Sequence, residues 1–107
     1  MTSIKLDLDH MQSAAAEASR LMKALANPDR LMLLCQLSQG EHNVGELEAA
    51  LGITQPTLSQ QLTVLREEAL VSTRREGKHV FYRLASDDAA AVMAVLHSRL
   101  CAAQAQG

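Results

Sequence analysis

The chain has 107 residues, a formal net charge of −2, 48% hydrophobic residues and two aromatic side chains, Phe81 and Tyr82. That length supports one small domain with a thin core, and the lack of any run of about 18 apolar residues excludes a membrane-spanning helix. The start, Met1-Thr2-Ser3-Ile4-Lys5-Leu6-Asp7, lacks the basic, apolar and small-residue order of a secretory signal, and two cysteines cannot build a secreted disulfide framework, so a cytoplasmic protein is expected.

Residues 1–10 are expected to be disordered. From 11 to 26, Met11, Ala14, Ala15, Ala18, Leu21, Met22 and Leu25 recur with the period of an amphipathic helix. Asn27-Pro28 ends it, because the residue before proline is pushed out of helical space. Asn27 then caps a second helix with Pro28 in its first turn. Leu31, Leu34, Cys35 and Ser38 are predicted to share one face of that helix, which Gly40 closes. A short third helix over 44–51 stops at Gly52. Thr54 is the predicted cap of a fourth, with Pro56 in its first turn, running to about Ala69. Leu58, Leu62 and Leu65 form its buried stripe, and Thr57, Ser59, Gln60, Gln61 and Thr63 cover much of the remaining surface.

Around Val71 the period changes from 3.6 to 2. Strands over 71–75 and 78–84, joined by Glu76-Gly77, form a hairpin with Val80, Tyr82 and Leu84 on one face and His79, Phe81 and Arg83 on the other. Ser86 is placed to cap a last helix from Asp87 to about Ala103, whose main face carries Val92, Val95, Leu96, Arg99 and Leu100. The fold class is therefore mainly α with a β-hairpin wing, in the order α-α-α-α-β-β-α, as one winged helix-turn-helix domain over 1–107. The helix-turn-helix occupies 44–69 and the wing 70–85. Apolar faces on the terminal helices, 11–26 and 87–103, exceed what so small a core can cover, which predicts a homodimer formed through them.

Charge is unevenly spread: the net is −3 over 1–53, +2 over 54–85 and −1 over 86–107. Ser, Thr and Gln both donate and accept at base edges, so the polar face of the fourth helix suits the major groove. Arg74, Arg75 and Lys78 near the hairpin tip suit phosphates or the minor groove, and His79 stands beside them. Joined within about thirty residues, these parts favour a double-stranded DNA partner, and a dimer would offer two reading helices to a palindromic operator. A winged-helix module that binds protein is the competing class. No Gly-rich phosphate loop, carboxylate pair or nucleophile–base motif is spaced for catalysis, so neither an enzyme nor a cofactor is expected.

The run Leu25-Ala26-Asn27-Pro28-Asp29-Arg30-Leu31, the stretch from Leu51 to Leu62, Leu65-Arg66, and Arg74-Arg75-Glu76-Gly77-Lys78 through Tyr82 resemble the ArsR/SmtB family over about residues 15 to 101. These are dimeric winged-helix repressors. The resemblance makes the helix after Thr54 the recognition helix, with Gln55, Thr57, Ser59, Gln60 and Gln61 near bases or phosphates; family members more often carry His where Gln61 stands. Both metal patterns of the family are broken here. Asn43 and Gly45 stand where one type has cysteines, and Ala89, Leu100 and Ala103 replace zinc-type ligands beside Asp87.

Cys35 on the second helix and Cys101 near the end of the last resemble the family's dithiol, persulfide-sensing branch (BigR/SqrR-like). In that branch persulfides and other sulfur oxidants join the two cysteines by a disulfide or polysulfide bridge and DNA is released. The resemblance thus implies Cys35 and Cys101 as redox-sensing residues and a small reactive sulfur species as inducer. His97, four residues before Cys101, leaves a metal-responsive alternative with Cys35, His97 and Cys101 as ligands.

Overall fold

A computed structural model describes residues 7–101. The elements are α1 (Leu8–Leu25), α2 (Pro28–Leu37), β1 (His42–Asn43), α3 (Val44–Leu51), α4 (Thr57–Glu67), β2 (Val71–Glu76), β3 (His79–Leu84) and α5 (Asp87–Leu96), followed by a π-helical turn, His97–Cys101. This is the expected helix-turn-helix and wing, with one strand more. No helix among the described residues is long and apolar enough to cross a membrane.

The expected disorder over 1–10 does not reach its end: the Asp7 carboxylate accepts from the Asp9 N–H at 3.1 Å, so residues 8–10 are already helical. Residues 1–6, and residues 102–103 of the expected last helix, lie outside the described part. Asn27 caps α2 as expected, its side chain accepting from the Arg30 N–H at 3.0 Å. The buried face of α2 is Leu33, Leu34 and Leu37, whereas Leu31 and Cys35 are half-buried and Ser38 is exposed. Turning the continuous leucine face inward removes more apolar area from water than a face shared with Ser38.

Asn43 and Glu46 form a reciprocal cap at the start of α3, each side chain accepting from the other's backbone N–H at 2.8 Å. β1 pairs His42 with Tyr82 and Asn43 with Phe81, giving an antiparallel sheet in the order β1-β3-β2. Two residues are too few for period-2 patterning to reveal. Gly77 (φ +62°) and Lys78 form the two-residue hairpin turn, so Lys78 lies at the tip rather than in a strand.

Thr54 does not cap α4. Pro56 precedes its first residue, and the Gln55 side-chain carbonyl accepts from the Ser59 N–H at 3.2 Å and the Ser59 hydroxyl at 2.6 Å. α4 stops at Glu67, short of Ala69, which closes it in the left-handed region (φ +59°) with the Leu70 N–H on the Leu65 carbonyl at 2.9 Å.

The expected α4 stripe of Leu58, Leu62 and Leu65 is fully buried, in one core with Leu33, Leu34, Leu37, Leu47 and Ile53. Ser86 caps α5 as expected, accepting from the Ala89 N–H at 3.0 Å. The core face of α5 is Ala89 and Met93, with Val92 and Leu96 half-buried, whereas Val95 and, in the turn beyond the helix, Leu100 remain 58% exposed and Arg99 faces solvent.

A left-handed alanine costs about 1 kcal/mol that glycine does not incur. Ala69→Gly is therefore expected to raise stability by a few tenths to about 1 kcal/mol, read by thermal and urea unfolding. A lower melting temperature would contradict this closure of α4.

Candidate DNA interface and thiol pair

α4 presents its polar face outward because its leucines are consumed by the core. Ser59 and Gln60 are exposed, as is Gln55 just before the helix, while Thr57 and Gln61 are half-buried. The sequence placed all five together; in the structure Gln55 lies just before α4 and the other four are spread around the part of the helix that its leucines leave free. Three have prior engagements: the Ser59 hydroxyl donates to the Gln55 carbonyl, and the Gln61 carbonyl accepts from Arg30 Nη1 at 2.8 Å.

In the wing, Arg75, Lys78 and His79 are exposed, and the His79 ring meets the Phe81 ring edge-on with centroids 6.2 Å apart. Arg74 differs from the free cation the sequence suggested. Its Nε donates to both Glu41 carboxylate oxygens at 2.9 Å, its Nη2 to the same carboxylate at 2.7 Å, and its Nη1 to Glu76. The guanidinium also lies 4.6 Å over the Phe81 ring. Strand alternation causes this, since Arg74 sits opposite Phe81 on the face away from the core. The hydrogen bond to Glu41, and then that to Glu76, pushes Arg74 further up from an already high value, while the Arg74 hydrogen bond holds the Glu41 carboxyl below its usual range. Arg74 ties β2 to the segment before β1, leaving Arg75 and Lys78 as the open cations at the tip.

Both cysteines are free thiols, Cys35 half-buried on α2 and Cys101 exposed at the end of the π-helical turn. Burial pushes the Cys35 thiol up, and the adjacent Cys101 thiol adds to this by charge and by hydrogen bonding. α2 packs on α5, which the π-helical turn continues, so two cysteines far apart in the sequence sit on neighbouring elements. His97 and Cys101 are the first and last residues of the π-helical turn, and both are exposed. Among the described residues no three His, Cys, Asp or Glu side chains gather as metal ligands, so Cys35, His97 and Cys101 form no such set. Asn43 serves as a helix cap and Ala89 is buried at the positions where other branches carry ligands.

Residues 27–73 match the family described as bacterial regulatory protein, arsR family. The biofilm growth-associated repressor of Agrobacterium fabrum is 56% identical over 98 residues, spanning 92% of this chain and 84% of that relative. The chain belongs to the ArsR family. The crystal structure of the transcriptional repressor BigR from Xylella fastidiosa is similar at TM-score 0.82 and 49% identity, covering 90% of this chain and 98% of that one. Reduced HlyU from Vibrio cholerae is similar at TM-score 0.84 and 44% identity, covering 88% and 99%. This ArsR-family chain is thus a DNA-binding transcription regulator of winged helix-turn-helix fold, as its polar α4 and basic wing tip anticipated.

Sequence reasoning gave no role to Glu41 or Arg30. Their partners lie 33 and 31 residues downstream, and no local pattern announces such pairs. The family member's salt response separates the wing cations. Arg75→Ala and Lys78→Ala are each expected to lower the salt slope of DNA binding by about one, measured by fluorescence anisotropy, while Arg74→Ala lowers the melting temperature with the slope unchanged. A slope reduced only by Arg74→Ala would contradict the assignment.

Acid should expose the same pairs. Glu41 is held below its usual range by Arg74, and Glu68 by Arg20, which donates to it at 2.7 Å. Groups with depressed folded-state values stabilise above the ordinary carboxylate range and lose that contribution as pH falls through the lowered values. Glu41→Gln should therefore flatten part of the fall in melting temperature between about pH 5 and pH 2. An unchanged acid limb would show that the pair adds nothing in solution.

Proposed function

We propose that this chain is a cytoplasmic, homodimeric repressor that releases a palindromic operator when Cys35 and Cys101 are bridged by a reactive sulfur species. The observation that carries this reading is a pair of free thiols on packed elements, Cys35 half-buried on α2 and Cys101 exposed at the end of the turn that continues α5, which packs on α2. The dimer is supported by α1, whose residues 8–20 are all exposed in the single chain, including Leu8 and Met11, and by exposed Val95 and Leu100. Repression is the activity named for the relative from Agrobacterium fabrum and for the BigR structure. No cofactor and no catalysis enter this reading.

The exposed Cys101 meets an organic persulfide first. Its thiolate attacks the outer, sulfane sulfur, the sulfur–sulfur bond of the reagent breaks, and an organic thiolate leaves, placing a persulfide on Cys101. The Cys35 thiolate then attacks the protein-bound inner sulfur and expels hydrosulfide, leaving a disulfide. If both cysteines carry an added sulfur, the same displacement leaves a trisulfide. Because burial pushes Cys35 up, bridge closure needs its deprotonation and should accelerate about tenfold per pH unit while the thiol form dominates.

A covalent link draws α2 towards the end of α5. α2 packs directly on α4, so the bridge biases an equilibrium between DNA-reading and released arrangements. The test is binding to a duplex selected by the reduced protein, before and after treatment with an organic persulfide, with intact mass recorded alongside. The wild type should lose at least about tenfold in affinity as the bridged mass forms, a coupling of ordinary size. Cys35→Ser and Cys101→Ser should bind DNA and not respond. A full response in either variant, or undiminished binding by the bridged protein, would overturn the proposal.

A further inference from the structure

α4 is seated by leucines, and apolar contacts constrain a helix's rotation less sharply than directional hydrogen bonds do. Among the described residues, one side-chain hydrogen bond joins the body of α4 to another helix, the bond from Arg30 Nη1 to Gln61 Oε1 at 2.8 Å. The same guanidinium donates from Nε to the Ala24 carbonyl at 2.6 Å and from Nη2 to the Lys23 carbonyl at 3.2 Å. Those carbonyls lie in the last turn of α1, where intrahelical donors run out. Arg30 is itself fixed at the start of α2 by the Asn27 cap. One half-buried planar fork thus spans α1, α2 and α4.

The chemistry also fixes which way Gln61 faces. Arginine has donors only, so Gln61 must turn its oxygen to Arg30 and its NH2 away. A glutamine reading adenine needs both groups at once, one accepting and one donating. Gln61 already commits one of its two oxygen lone pairs to Arg30, and its half-buried position suits a strut. A second tie reinforces the frame, since Arg20 on α1 holds Glu68 at the end of α4 at 2.7 Å.

We propose that Arg30 is a positioning residue that sets the rotation of α4 through Gln61 and so governs discrimination between DNA sequences. The proposal rests on α4 as the reading helix. It places the effect of Arg30 on selectivity, because the phosphate contacts that supply general DNA affinity come from the wing tip and are untouched.

The experiment compares binding of the full-length protein to two probes at several salt concentrations. One is a duplex selected by the wild type from a random pool, and the other is a scrambled duplex of the same composition. Arg30→Lys keeps the charge without the fork, and Gln61→Met keeps the length without the acceptor. Each should lower the selected-to-scrambled affinity ratio about tenfold, the size expected for one charge-assisted hydrogen bond, and Arg30→Lys should do so with salt slope and scrambled affinity unchanged. The double variant should be no worse than either single one, since both remove the same link. Ratios within about twofold of wild type in both single variants would overturn the proposal, as would losses that add fully in the double variant. The latter result would make Gln61 a direct DNA contact. If Arg30→Lys fails to fold, judged by circular dichroism, Gln61→Met decides alone through the ratio. A wild type without preference for the selected duplex would instead refute α4 as the reading helix.

Discussion

The packing of α4 against α2 is the constraint on which the other features depend. Leu58, Leu62 and Leu65 meet a core that includes Leu33, Leu34 and Leu37, all nearly or fully buried. Each buried leucine contributes roughly 1.5–3 kcal/mol, so this seam is a major source of stability for a domain this small. It also decides what faces outward: with the leucines inward, Ser59, Gln60 and Thr63 of α4 are exposed, while Gln61 is half-buried against Arg30. Cys35 lies at the edge of the same α2 seam. A change at the thiol pair therefore acts on the helix against which the reading helix is seated.

Around this apolar seam, polar links set direction. Arg30 joins α1, α2 and α4, Arg20 reaches Glu68, and Arg74 braces the wing through Glu41, Glu76 and Phe81. The exposed pairs of Arg20 and Arg74 add little stability individually, and the value of all three links is chiefly geometric. They leave Arg75 and Lys78 as exposed charges at the wing tip, while the acidic N-terminal half of the chain moderates the total.

Much of this was legible because local chemistry controls it. Asn27 and Ser86 are caps whose side chains bond within three residues, and the α4 stripe repeats at helical spacing. The helix-turn-helix, wing and cysteine positions followed from such signals and from the family resemblance. What escaped depends on distant partners. The β1 pairing needs Phe81 and Tyr82, the locking of Arg74 needs Glu41, and the fork of Arg30 needs Gln61. Thr54 was a sound cap candidate by residue type, yet Gln55 took the donor because Pro56 shifted the start of α4. The α2 and α5 faces were misjudged for one reason. Amphipathic period locates an apolar stripe only within about a quarter turn, and tertiary packing selects the exact face.

The central claim is that the two thiols of one chain form a single reactive pair. Mixing equal amounts of ¹⁴N- and ¹⁵N-labelled protein, letting subunits exchange, and treating with an organic persulfide tests it directly by mass spectrometry of the linked peptides. The expected result is a Cys35 peptide joined to a Cys101 peptide, always of the same isotope. Mixed-isotope links, or Cys101 persulfidated while Cys35 remains a free thiol, would contradict it.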